Sequence, residues 1–176
     1  MKVDYDTGAI KWIFGDPTKY WHTFSSLRAK AITLAGSNFY PIGQHGINLE
    51  TDGSIWMMNN GSPTAAGGVP PGAPLGKARV YSASSAYTVN PAEGTAKEIY
   101  RYVHQHTLKS PICGSTYKEA GGAMIIDFAS ADNNTHTHLV ALDTNGKTAF
   151  EYQYDDQACG TNWHTIPIPL EALVLQ

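Results

Sequence analysis

The chain holds seven histidines, and imidazole is the side chain that changes charge near neutral pH. One is set apart by its neighbours. In Ile42-Gly43-Gln44-His45-Gly46-Ile47-Asn48-Leu49 it lies between two glycines, at the start of a strand-like run. Glycine has no Cβ, so backbone or ligand can approach closely there. An imidazole on such a bare ledge suits a nucleophile or a proton carrier better than a core side chain. The other histidines read differently. His104-Gln105-His106 and His136-Thr137-His138 each put two imidazoles on one face of an extended chain, a spacing that can bind metal. No third ligand follows from spacing, with Asp127 and Asp132 the nearest carboxylates, and exposed rim histidines are the simpler reading. His22 sits in the aromatic loop Tyr20-Trp21-His22, and His164 in Asn162-Trp163-His164 reads as structural.

The groups that would serve such an imidazole lie just before it. Tyr20, Trp21, Phe39 and Tyr40 bracket the segment leading to His45 and suit contact with a flat ring. Arg28 carries a guanidinium fork for an oxyanion, and Lys30 and the backbone N–H groups near Gly43 and Gly46 are further donors. Trp12, Tyr100, Phe150 and Tyr152 recur in hairpins and are expected between sheets, with Trp56 in the core beside Met57 and Met58.

Strands must position these residues. Three hairpins share one design, an Asp or Asn, a short turn, a glycine and an alternating strand: 3–12, 89–100 and 142–152. Thr51-Asp52-Gly53 and Gly121-Gly122 mark two more tight turns. The pattern predicts two consecutive four-strand meanders, over 46–50, 54–59, 77–84 and 95–102, then over 112–118, 123–129, 136–142 and 148–154. Residues 3–14 read as the outer half of another. Repeated four-strand units are the mark of a β-propeller. Insertions run from Asp16 to Pro41 and from Gly61 to Gly76, and Thr23 to Leu34 reads as one short helix or as turns.

Bulk properties agree. Of 176 residues 42% are hydrophobic and only 15% charged, which favours buried strands over exposed helices. A net charge of −3 with unclustered Lys and Arg argues against nucleic acid as a partner. No apolar run reaches the ~18 residues of a membrane span. Met1-Lys2-Val3-Asp4-Tyr5 leads into a polar hairpin rather than a signal peptide. Cys113 and Cys159 read equally as a disulfide or as two buried thiols. The sequons at Asn60 and Asn133 decide nothing.

In order, Ile10-Lys11-Trp12-Ile13-Phe14-Gly15-Asp16-Pro17, then Gly43-Gln44-His45-Gly46-Ile47-Asn48-Leu49, then Asp52-Gly53-Ser54-Ile55-Trp56-Met57-Met58-Asn59-Asn60-Gly61 resemble the C-terminal part of the bacterial arylsulfate sulfotransferases. The resemblance implies an all-β fold, a partial β-propeller of about two and a half four-stranded antiparallel blades out of six. In that division 3–14 belongs to one blade, 46–102 to a second, 112–154 to a third, and 155–176 closes the chain. It also implies a periplasmic enzyme that needs no cofactor. A sulfuryl group would pass from a phenolic sulfate ester to a phenol acceptor by a ping-pong route through His45, with Arg28, Tyr20, Trp21 and Tyr40 as substrate-binding residues. Further His, Asn and Arg residues of the family lie upstream of the equivalent of Met1. The chain therefore resembles about a third of a full enzyme, completed by upstream blades or by self-association. The competing expectations are a non-catalytic β-repeat binding module and a metal-binding β-protein using the His-x-His pairs.

Overall fold

The computed structural model describes residues 1–63, 69–157, 159–160 and 162–168. The chain is all-β with very little helix, in three sheets that do not close into a ring.

The first sheet is the short pair β1 (Lys2–Val3) and β2 (Ile10–Trp12). Its turn is built by Asp4, whose Oδ1 accepts from the Thr7 N–H (3.0 Å) and the Thr7 hydroxyl (2.8 Å). A 3-10 turn (Tyr20–Thr23) and the single-turn helix α1 (Ser25–Arg28) follow. The helix goes no further, and Ile32 and Thr33 are β-branched residues that favour extended backbone. They lead into β3 (Thr33–Ala35).

Strands β4 (Gln44–Leu49), β5 (Ile55–Asn59), β6 (Ala83–Asn90) and β7 (Thr95–Tyr102) form an antiparallel meander, and β3 adds parallel to β7, giving the order β3-β7-β6-β5-β4. Two expectations are corrected here. The sheet has five strands because β3 returns from the first insertion to pair the outer edge of β7 and bury Ile32 and Leu34. The strand expected at 77–84 lies at Ala83–Asn90 instead. The backbone before it bonds to loops: Lys77 N–H to Asp16 Oδ2 (2.9 Å), Arg79 N–H to the Gly61 carbonyl (2.9 Å), and Ser82 N–H to the Leu108 carbonyl (2.9 Å).

The third sheet is a plain antiparallel meander, β8 (Ser115–Lys118), β9 (Met124–Ser130), β10 (His136–Leu142) and β11 (Thr148–Asp155). β8 begins later than expected, because Cys113 (φ 62°) and Gly114 (φ 89°) are left-handed. Residues 169–176 of the expected closing segment lie outside the described residues.

The five-stranded sheet is apolar on both faces, which is why Ile55-Trp56-Met57-Met58 does not alternate with polar residues. Trp56, Met58 and Ala86 pack against Met124, Ile126, Phe128, Val140 and Leu142 of the third sheet. Met57, Tyr87 and Ala96 pack the other way, against Phe14, Ile32 and Leu34. The inner strands β4 and β8 meet backbone to backbone. A Cβ on Gly46 would lie 2.7 Å from both the Gly114 carbonyl oxygen and the Ser115 Cα, and one on Gly114 would overlap the Asp127 carbonyl.

Gly114→Ala is expected to lower unfolding stability by about 3 kcal/mol or more, since a left-handed φ and a backbone overlap act together. Gly8→Ala, with φ 67° and open space around it, is expected to cost about 1 kcal/mol. Urea unfolding of both separates steric overlap with backbone from the strain of a left-handed φ. Burial pushes the Asp127 carboxyl up to about 6, against hydrogen bonds from Thr165 and Asn162. The native state thus holds this proton more tightly than the unfolded chain. The resulting stabilisation is complete below pH ~4 and is lost as pH rises through ~6, roughly 3 kcal/mol in all. Asp127→Asn is expected to remove that component of the pH slope in unfolding titrations.

Candidate active site around His45

His45 enters from β4, where it pairs with Met58 of β5. Just beyond it the register shifts before Asn48, and Gly46 takes φ 53°. Such a bulge re-aims the neighbouring side chain. The expectation of a bare ledge needs correction on one point. Both flanking glycines are occupied by protein backbone: a Cβ on Gly43 would lie 2.6 Å from the Ser62 carbonyl oxygen, and Gly46 abuts Gly114 and Ser115. The glycines admit neighbouring chain, and His45 itself is half-buried.

The imidazole is oriented by Asn60. His45 Nδ1 and Asn60 Oδ1 are 2.8 Å apart. Asn60 is fully buried, and its Nδ2 donates to the Ser110 carbonyl (2.8 Å) and the Cys113 carbonyl (2.9 Å), with the Ser110 hydroxyl at 3.2 Å. Those carbonyls accept only, so the Asn60 amide has one workable orientation, with Oδ1 toward the imidazole. Oδ1 also accepts only. In the neutral ring Nδ1 therefore carries the proton and Nε2 the lone pair. Nε2 makes no hydrogen bond among the described residues. The arrangement fixes the ring's orientation and leaves Nε2 without a protein partner among the described residues.

The loop that receives Asn60 is itself tied down. Cys113 and Cys159 form a disulfide with Cα atoms 6.3 Å apart, so the open question of their pairing resolves to a bond. The Ser110 N–H donates to the Ser82 hydroxyl (2.9 Å), and that hydroxyl lies 2.9 Å from the Asn60 carbonyl and 2.8 Å from that of Ser110. Lys109 Nζ donates to the Asn60 carbonyl (2.6 Å) and the Arg79 carbonyl (3.0 Å). Burial, with Arg79 nearby, pulls its ammonium down to about 8.

The two insertions meet, Lys19 bridging to Leu75. There Tyr20 and Trp21 line an apolar cleft of about 240 Å³ with Phe24, Leu27, Val69 and Leu75. Trp21 also lines a second cleft of about 250 Å³, which reaches Gln44, the neighbour of His45, past Phe14 and Ile13. Tyr40 stands further in. Its hydroxyl accepts from the Leu34 N–H (2.8 Å) and its ring lies 6.0 Å from that of Phe14. Arg28 is exposed and donates to the His22 carbonyl at 3.2 Å, within its own loop. Thus Tyr20 and Trp21 come together in one cleft, Tyr40 is engaged with the core, and Arg28 faces solvent.

The His-x-His pairs face carboxylates. His138 Nε2 is 2.7 Å from Asp132 Oδ2, and His104 Nε2 is 3.1 Å from Glu151 Oε2. Among the described residues no group of three His, Cys, Asp or Glu side chains is arranged to hold a metal ion.

Asn60 was not picked out by sequence reasoning as a functional residue. A partial signal existed: extending the hairpin register outward from Thr51-Asp52-Gly53 sets His45 against Asn59 and Gln44 against Asn60, and the bulge after His45 then moves His45 onto Met58.

An open-edged all-β scaffold that offers an oriented imidazole near aromatic clefts has the makings of a group-transfer enzyme. The chain matches the arylsulfotransferase (ASST) family over residues 1–164 and belongs to that family of transferases. No curated protein sequence matches it significantly.

Because the disulfide anchors the loop under Asn60 and closes a span of 46 residues, its reduction is expected to cost about 4 kcal/mol of unfolding stability. Denaturant titration with and without a thiol reductant measures this.

Proposed function

We propose that this chain carries the nucleophile of an aryl sulfuryl transfer, and that the nucleophile is Nε2 of His45. The observation that carries the reading is the Asn60 amide, whose buried bonds leave the lone pair on Nε2. In the first step Nε2 attacks the sulfur of a phenolic sulfate ester. The N–S bond forms, the S–O bond to the ring breaks, and the pair leaves with the phenolate. The ring keeps its Nδ1 proton, so the adduct is a sulfo-imidazolium, and its positive charge faces Asn60 Oδ1. In the second step a phenol acceptor passes its proton to the phenolate released in the first step or to water, its oxygen attacks sulfur, the N–S bond breaks, and neutral imidazole returns. A neutral amide partner suits both steps. It stabilises the developing charge, yet leaves imidazole a better leaving group than a carboxylate partner would.

The aromatic cleft of Tyr20 and Trp21 supports an aryl-binding role, with Tyr40 and Arg28 as further contacts on the family resemblance. The two large sheets packed face to face support blades of a propeller, which further blades would complete. The disulfide supports an oxidising compartment, the periplasm.

Intact-mass analysis after incubation with a nitrophenyl sulfate is expected to show one added sulfuryl group, absent in His45→Ala. Asn60→Ala is expected to label roughly 10- to 100-fold more slowly, because the imidazole loses its tautomer and aim. Label retained in His45→Ala, or none on the folded parent chain, overturns the assignment.

A further inference from the structure

A third cleft lies apart from the imidazole, walled by Phe39, Ser37, Asn38, Lys77, Arg79 and Arg101, with a volume of about 260 Å³. Asp16 also lines it. The charges in it do not balance locally. Arg101 is matched by Glu98, with Nε donating to Oε1 at 2.7 Å and Nη2 bonded to Oε2. The Asp16 carboxylate is already taken by three protein donors. Its Oδ1 accepts from the Thr18 N–H (2.7 Å) and Thr18 hydroxyl (2.6 Å), and its Oδ2 from the Lys77 N–H (2.9 Å).

Arg79 has no carboxylate partner within ion-pair distance among the described residues. Its Nη1 donates to the Tyr40 carbonyl (3.2 Å) and its Nη2 to Asn59 Oδ1, both neutral acceptors. Its Nε is buried without an acceptor among the described residues. Burial pulls the guanidinium below its ordinary value and Arg101 adds to this, while the Asp16 carboxylate across the cleft only partly offsets it. The two guanidinium carbons converge on one ring, at 4.1 Å and 3.8 Å from the Phe39 centroid. Two like charges drawn to one aromatic ring repel each other, and Glu98 answers only the charge of Arg101. Lys77 adds a third cation at the exposed rim, and no ion pair engages its ammonium among the described residues.

We propose that this cleft is a binding site for a tetrahedral oxyanion, sulfate or phosphate, held by Arg79, Arg101 and Lys77 and separate from the transfer site at His45. The guanidiniums retain N–H groups beyond those bonded to protein, and a fork geometry suits paired oxygens. The volume accommodates one such ion with its first waters. The inference does not rest on the sulfuryl-transfer reading, because none of its residues is assigned a part in the chemistry of His45.

Isothermal titration of the full 176-residue chain with sodium sulfate and sodium phosphate, against sodium chloride at matched ionic strength, tests the site. One oxyanion is expected to bind per chain, with chloride inert. Lys77→Gln, an exposed position, is expected to weaken binding about tenfold, and Arg79→Gln more. His45→Ala is expected to leave binding unchanged. Tighter sulfate or tighter phosphate would say which ion the cleft prefers, and either upholds the site. An equal response to chloride, binding lost in His45→Ala, or undiminished binding in Lys77→Gln overturns it. Should Arg79→Gln fail to fold, Lys77→Gln alone decides.

Discussion

The structure around the imidazole depends on one buried amide. Asn60 joins three pieces of chain that are far apart in sequence: the end of β5 that carries it, the start of β4 with His45, and the loop holding Ser110 and Cys113. A buried amide left unsatisfied costs far more than a satisfied one contributes. The three segments are therefore held together as strongly as the penalty for parting them. Aspartate would set an oxygen against two carbonyls, and an aliphatic residue would leave both carbonyls and the imidazole without a partner. Only a side chain that donates on one arm and accepts on the other fills this position.

That junction works because the two large sheets are brought close enough for it. Gly46 lies against Gly114 and Ser115 at this junction, where a side chain on Gly46 would strike backbone. Next to this seam Asn48 Nδ2 donates to the Thr116 carbonyl at 2.7 Å, a polar link between the inner strands. Behind it Met58, Phe128 and Ile126 fill the space with fully buried apolar side chains. Apolar packing sets the distance between sheets, and the polar seam sets their register.

The insertions repeat this logic on the outer side. The first provides β3, which covers the outer edge of β7, and a turn rich in aromatics. The second returns to meet it at Leu75. Where they meet, at Lys19 and Leu75, each lies against the other. The apolar cleft of Tyr20 and Trp21 is a product of that meeting.

Much of this was legible from the residues. The tight turns at Gly8, Gly53, Gly94 and Gly146 follow from glycine at positions that need a positive φ, and all four take one. Strands β9 and β10 lie close to where alternation sets them, because one face of each meets a core. The strand at Ala83–Asn90 was misplaced because serines at Ser84 and Ser85 are fully buried and mask the apolar pattern. β3 left no signature, since three residues in parallel pairing carry no period.

The sequence by itself determined the β content, the hairpins and the prominence of His45, because these follow from the φ demands of turns and the period of a strand. Only the tertiary structure decided which imidazole nitrogen is free, what fills the space beside the flanking glycines, and that Cys113 meets Cys159. Those outcomes turn on contacts such as Asn60 with Ser110, 50 residues apart, and on the direction in which one amide faces. No local pattern encodes such a contact, because its energy exists only once the sheets have packed.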